Sequence, residues 1–448
     1  MFGGTRTTAS FVLGIAFASI AFACATPVFA ADLGGDCCAD LEERIAELEA
    51  TTARKGNRKV SLTVSGFVNQ AVLFWDDGSE QNAYVVTNES SQSRVRFLGQ
   101  ARISKDWTAG YLLELGVRGA REDRVNQDDP DGGSSANGVS VRHSAWYLSG
   151  KNVGKVWVGQ TSEATDGITE TNLASTSYFS YTNSWGNTFG DQNSGFFLRR
   201  SDGTLTNVHW GSFVAQGAQQ AAPGEGHRFN VVKYDSPTIA GFTASASWGE
   251  DDHWSVALRY AGEFSGFQLA GGVGYTGAND HTSLSNQRGV GDTSEIGLSG
   301  SILHTETGLY ASGAWGRLHD AGLDDLYGRD VDENTSFWTL QAGIERKFIP
   351  LGKTTIFGEY FQLDRGAGFG SNGGILNVAD LGTGLDQVAN SQIQGWGVGL
   401  NQNLNGVMDL YFDYKHVNLD VTTTDGVAEA NANLDAIQFF TAGALIKF

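Results

Sequence analysis

From Lys59 onward the apolar positions recur at every second residue. Val60, Leu62, Val64, Gly66, Val68, Val72 and Phe74 share one face, and Ser61, Thr63, Ser65 and Asn69 share the other. A period of two belongs to a strand whose faces meet different surroundings. The alternation returns in Val95, Phe97, Gly99, Ala101 and Ile103. After the turn Lys105-Asp106-Trp107 it continues in Ala109, Tyr111, Leu113, Leu115 and Val117. Further strands are predicted near 139–149, 154–161, 227–235, 241–249, 253–262, 267–275, 293–304, 308–317, 335–346, 353–362, 392–402, 407–416 and 434–448, sixteen in all.

The connections between them alternate in kind. Short ones include Asp235-Ser236-Pro237, Gly262-Glu263-Phe264-Ser265-Gly266, His304-Thr305-Glu306-Thr307 and Asn403-Leu404-Asn405-Gly406. Long polar ones lie near 120–138, 162–226, 276–292, 318–334, 363–391 and 417–433. An even number of strands with both ends of the set on the short-turn side predicts an all-β fold, a 16-stranded antiparallel transmembrane β-barrel. Closure leaves no strand edge in hydrocarbon. Aromatic residues gather at both strand ends: Tyr234, Phe242, Tyr260, Phe264, Phe267, Phe348 and Phe448 beside short turns, Phe74, Trp248, Trp254 and Tyr275 beside long loops. They are expected to form two interfacial girdles.

The amino-terminal part reads differently. Arg6, the apolar run Phe11 to Ala23 and the small residues of Val28-Phe29-Ala30 predict a signal peptide over 1–30, a better fit than a lipoprotein reading through Cys24. In 31–57, a periplasmic segment, Leu41, Ile45 and Leu48 give a helical stripe within 39–54. Two heptads are too short to stand alone. They suit either a coiled-coil stub in an oligomer or a helix packed under the barrel, which occupies 58–448. Cys37 and Cys38 are adjacent and bridge one another only with strain, so a link between subunits and a free pair stay equally open.

Composition narrows the functional classes. With 60 glycines and 5 prolines the chain suits closely packed strands rather than disorder. No apolar run of helical membrane-spanning length follows the signal. Removing the signal takes one basic residue, giving 29 − 50 = −21, which argues against nucleic acid as a partner. The 8 histidines are scattered, and no cofactor site is expected. Asp128-Asp129-Pro130-Asp131 and Asp330-Val331-Asp332-Glu333 suit solvated loops better than a loop-bound Ca2+. Gly272-Val273-Gly274-Tyr275-Thr276-Gly277 matches the dinucleotide fingerprint, but it ends a strand without opening a helix. No nucleophile elbow or paired metal-ligand histidines appear, so an enzyme is not expected.

Two resemblances sharpen the picture. Phe440, Ala442, Ala444, Ile446 and Phe448 alternate to an aromatic carboxy-terminus that resembles the assembly signal of bacterial outer-membrane barrels. Residues 39–66, ADLEERIAELEATTARKGNRKVSLTVSG, followed by Trp75-Asp76-Asp77-Gly78 and later by Tyr234-Asp235-Ser236-Pro237, Ala240-Gly241-Phe242 and Trp248-Gly249-Glu250-Asp251, resemble the trimeric porins of alphaproteobacteria, of Rhizobiales type. The resemblance implies a homotrimer in the outer membrane, among lipid and lipopolysaccharide, with both termini periplasmic and a third loop folded inward. The implied function is a water-filled pore for passive diffusion of small hydrophilic solutes and ions. The alternatives are a substrate-specific channel and a non-conducting surface or envelope-tethering barrel.

Selectivity is expected where the long connection meets the lumen. Glu163, Asp166 and Glu170 lie in its first part, a stretch without basic residues. Arg94, Arg96, Arg102, Arg118 and Arg142 fall on the predicted inward faces of the second to fourth strands. Guanidinium groups facing carboxylates across water set a transverse field that favours polar solutes. The net charge by itself suggests a weak preference for cations.

Overall fold

The computed structural model describes residues 60–133, 138–176, 178–180, 195–214, 222–249, 252–279, 290–368 and 374–448. The signal peptide, the helix expected over 39–54 and Cys37 and Cys38 lie outside the described residues.

Among the described residues twenty strands follow in chain order: β1 (Ser61–Asp76), β2 (Gln81–Thr87), β3 (Arg94–Arg102), β4 (Trp107–Arg118), β5 (Gly138–Gly150), β6 (Gly154–Ser162), β7 (Phe197–Arg199), β8 (Leu205–His209), β9 (Arg228–Asp235), β10 (Phe242–Gly249), β11 (Trp254–Phe264), β12 (Phe267–Ala278), β13 (Thr293–His304), β14 (Leu309–Asp320), β15 (Asn334–Ile349), β16 (Gly352–Arg365), β17 (Gln387–Leu404), β18 (Met408–Thr424), β19 (Glu429–Asn431) and β20 (Ile437–Lys447). All but β7 and β8 join one antiparallel sheet of 18 segments. Those segments make sixteen staves, because β2 and β3 run end to end along β1 while β19 and β20 run end to end along β18. The sheet closes where β1 pairs with β20, from Phe67 opposite Lys447 to Asp76 opposite Gln438. Phe448 seals the end of that seam by exchanging two backbone hydrogen bonds with Gly66, each 3.0 Å.

The predicted strands correspond to these staves with two differences. The second stave begins at Gln81 as β2, a segment that the strand expected from Val95 omitted. The long connection also carries its own hairpin, β7 with β8. Three short turns share one backbone solution. Ala240-Gly241, Ser265-Gly266 and Asn405-Gly406 each place two successive residues at positive φ. That is the turn whose twist matches flanking antiparallel strands, and glycine at the second position meets no steric cost there.

Alternate residues separate into an outer and an inner set. Val64, Val68, Phe74, Val256, Leu258, Val398 and Phe412 are exposed on the outside, as are the girdle residues Tyr234, Phe242, Trp248, Trp254, Phe264 and Phe448. Inward residues divide by location. Along β1 and β15–β18, Leu73, Trp75, Phe337, Phe361, Ile393 and Tyr411 are buried with Phe179, Phe196, Trp210 and Phe213 of the long connection in one apolar cluster. The interior is therefore not wet on all sides. Part of the wall is covered by chain that enters the barrel.

An outward Leu258→Arg substitution at mid-strand should destabilise the protein by about 2–4 kcal/mol, the cost of a lipid-facing cation near the midplane. Urea unfolding in lipid vesicles measures it.

Candidate pore-lining site

Residues 163–176 and 178–180 run along the inner wall as a belt. Its backbone is held by inward side chains of successive staves. The N–H of Ala164 donates to Ser247 and Ser255 Oγ on β10 and β11, at 3.0 and 3.1 Å. Arg259 on β11 donates to the carbonyls of Ala164 and Asp166, both at 2.8 Å. Thr171 N–H and Leu173 N–H reach Ser299 and Ser301 Oγ on β13. Ser175 N–H reaches Glu345 on β15, and Ser180 Oγ reaches Glu359 on β16, each at 2.6 Å. Farther round, Asn401 on β17 donates to the Ser175 carbonyl, Phe179 stacks on Tyr411 of β18 at 4.6 Å, and Asn69 on β1 donates to the Tyr178 carbonyl. A non-helical backbone at membrane depth survives where protein groups satisfy it in this way.

Glycine makes room for the belt. A Cβ on Gly272 would lie 2.7 Å from Ile168 and one on Gly274 2.6 Å from Thr165. Any side chain at Gly297 or Gly316 would overlap the backbone of Gly224 or Pro223. Two of the dinucleotide-like glycines, Gly272 and Gly274, thus belong to a groove on the inner face of β12–β14, into which the long connection is laid, while Gly277 faces the outward Trp254.

Glu225 ties the two ends of that connection together. Its carboxyl accepts from Thr169 N–H at 2.7 Å, Thr169 Oγ1 at 2.5 Å and the Gly167 N–H. Burial, then the nearby Glu170 and Asp166, push its pKa well above the usual carboxylate range.

The expected site residues are distributed unevenly. Arg94, Arg96 and Arg142 converge on Glu114 of β4: Arg96 Nε lies 2.6 Å and Arg142 Nε 2.7 Å from its carboxyl oxygens, and Arg94 Nη1 lies 3.5 Å away. A bulge in β5, between the partners of Glu114 and Leu115, turns both Arg142 and His143 inward, which strict alternation forbids. Arg118 is paired with Glu89 at 3.3 Å and with Gln92 at 3.1 Å, one step from this group. Arg102 is not part of it: at the short-turn end, its guanidinium donates to the carbonyls of Ser104 and Lys105.

The acids also separate. Glu163, expected at the water's edge, is instead 1% exposed, with its carboxyl 2.6 Å from His253 Nε2 and 2.8 Å from the His227 N–H. It is an anchor for the root of the belt, because an apolar-walled site keeps a carboxylate only when it is paired. Asp166 keeps some exposure beside Arg228, at 3.4 Å, and accepts from Ser162 Oγ. Burial would raise its pKa, but the charge of Arg228 and the Ser162 hydroxyl outweigh that and hold it low. Glu170 is half-buried next to Glu225.

Sequence reasoning missed Glu114, Glu225, His253, Arg228 and Arg259. Glu114 was legible as a lone acid at an inward position, alternating with the outward Tyr111, Leu113 and Leu115. The others acquire meaning only when the belt crosses them. The acid-rich loops, weighed as Ca2+ sites, use their carboxylates for turns: Asp129 accepts from Asp131 and Gly132 N–H, and Asp332 from Asn334 N–H. Among the described residues no group of three or more His, Cys, Asp or Glu converges as a metal site would require.

A closed sixteen-stave barrel with chain laid against its inner wall is the porin architecture, and residues 9–422 match the family model for Gram-negative porins. The chain belongs to the Gram-negative porin family. Among solved structures this porin is similar to one described as an anion-selective porin from Comamonas acidovorans, at 17% identity and a TM-score of 0.52, covering 87% of this chain and 100% of that one. It is also similar to a loop-deletion mutant of OmpT, an outer membrane protein of Vibrio cholerae, at 12% identity and a TM-score of 0.50, covering 87% and 100%. At such identities the likeness speaks for the fold. No curated protein sequence is significantly similar to the chain.

Two outcomes are expected from this geometry. Glu225→Leu removes an acceptor from three donors at a cost of about 1–3 kcal/mol per stranded group, freeing the belt's root; single-channel recordings should show larger, noisier openings, with Glu225→Gln closer to the parent. Glu122, in the connection after β4, is raised to about 8 by burial, opposed by Lys415 and aided by Asp413. Its neutral form is favoured in the fold, so its contribution is complete below its ordinary 4.5 and is lost as pH climbs through about 8. Glu122→Gln should flatten the fall in thermal stability over that window.

Proposed function

We propose that this porin provides a passive aqueous path across the bacterial outer membrane for small hydrophilic solutes and ions, without a dedicated substrate. The observation that carries the reading is the belt itself. It occupies the inner face from β10 round to β1, while the arginine group on β3–β5 faces it from the uncovered wall, so solutes pass between a fixed backbone and fixed charges. Asp166 and Glu170 form the acidic margin, and Arg94, Arg96 and Arg142 the basic one, with Arg118 at its edge; Glu163 positions the belt. Such a site orients polar solutes and takes no chemical step, in keeping with a channel rather than an enzyme.

The outer-facing apolar surface, the girdles and the porin resemblance support a homotrimer of Rhizobiales type, bedded in lipid and lipopolysaccharide. Both termini would be periplasmic and the short turns on that side. A substrate-specific channel would need an open aromatic track. Trp146 points outward, and the inward Tyr147–Trp157 pair is capped by Lys155 Nζ at 4.7 and 4.9 Å. That favours general diffusion over the specific reading.

Liposomes carrying the folded protein should swell in neutral sugars at rates that fall smoothly with solute size. Saturable uptake of one sugar class would replace general diffusion with the specific channel, and a folded protein giving neither swelling nor conductance would favour the envelope-tethering reading.

A further inference from the structure

Several inward acids are screened from water more fully than several inward bases, although Asp235 and Asp166 keep 26% and 15% of their side chains accessible. Glu114, Glu163, Glu345, Glu359, Asp409 and Asp413 have side chains exposed by 0 to 6%. They are held by arginine, lysine or histidine, or lie under the belt. On the basic side, Arg96 keeps 45% of its side chain accessible, Arg118 25%, Lys447 31% and Lys353 61%. All four lie on inward positions: Arg96 stands opposite Ser65 and Glu114 across its stave, while Val64 and Phe97 take the outer face. Lys353 pairs with Glu345, and Lys447 pairs with Asp409 and caps the Tyr178 ring at 4.3 Å.

Resting on the porin reading, we propose that this lumen selects small anions, namely halide, carboxylate and phosphate solutes, over cations, despite the acidic balance of the chain.

A permeating ion responds to charges that water along its path can approach; exposed charges in outer loops are attenuated beyond about 8 Å at physiological salt. The buried acids are offset at contact by the cations that hold them; of those cations Arg96, Lys353 and Lys447 keep faces turned to the water, while Lys415 and His253 are buried. Arg94, Arg96 and Arg142 together answer one Glu114, leaving that wall with excess positive charge. Two buried loop acids add less negative charge than their number suggests, since burial first, and then the nearby Asp123 for Glu89 and Asp413 for Glu122, raise them to about 7 and about 8. Guanidinium groups keep their charge at working pH and bind carboxylate and phosphate oxygens in pairs, giving a field that concentrates such solutes.

The test is the reversal potential of the full-length protein in a planar bilayer across a potassium chloride gradient. A reversal potential of the sign set by chloride is expected. The Arg96→Gln and Arg118→Gln proteins should each lower the chloride-to-potassium permeability ratio, by roughly two-fold or more for an arginine at the water path. Glu429→Gln, on an exposed loop strand, should leave it unchanged. A conducting wild-type channel with potassium-signed reversal would overturn the anion assignment and leave the porin reading standing. Folded protein that never conducts would overturn the porin reading and the assignment with it. The wild-type measurement decides the matter even if a variant fails to assemble.

Discussion

Every backbone N–H and C=O of a wall in hydrocarbon must find its partner within that wall, because no water is available to take its place. This constraint governs the whole molecule. It requires the sheet to close, and closure is made by the pairing of β1 with β20, extended to the last residue by the reciprocal bonds of Phe448 with Gly66. It also explains why the chain inside the barrel is so thoroughly hydrogen-bonded. Among its described residues, 163–176 and 178–180, the belt has neither helix nor sheet of its own, so hydroxyls, amides and carboxylates of the inner face take the place of a ladder.

Charge is distributed by the same logic. Acids that enter the apolar interior carry their partners with them, as Glu114 does with three arginines and Glu163 with His253. The desolvation that makes an unpaired buried carboxylate unfavourable turns most of these acids into anchors. The accessible parts of Arg96, Arg118, Lys353 and Lys447 remain on the inner face, with Asp166 and Asp235 as partly exposed acids. The formal charge of −20 therefore does not by itself describe the charge that the inner face presents.

Much of the fold was legible in advance, because alternation at period two is a direct record of two solvents. The strands expected at 227–235, 267–275 and 293–304 correspond to β9, β12 and β13. The site was less legible. Arg94, Arg96 and Arg142 were expected on inward faces from alternation, whereas their common partner Glu114 and the bulge that admits both Arg142 and His143 depend on register. Arg102 obeyed the same alternation and still landed at a turn, since periodicity assigns a face but not a depth.

The sequence by itself determined the class of fold, the staves and their faces, the girdles and the separation of short turns from long loops, since each follows from local period and turn chemistry. Only the tertiary structure decided the course of the long connection, and with it which acids are anchors and which charges meet water. Those outcomes arise from contacts between residues far apart in the chain, such as Glu163 with His253, Ser175 with Glu345 and Asn69 with Tyr178. No local pattern encodes them, because the partners become neighbours only after the sheet has closed.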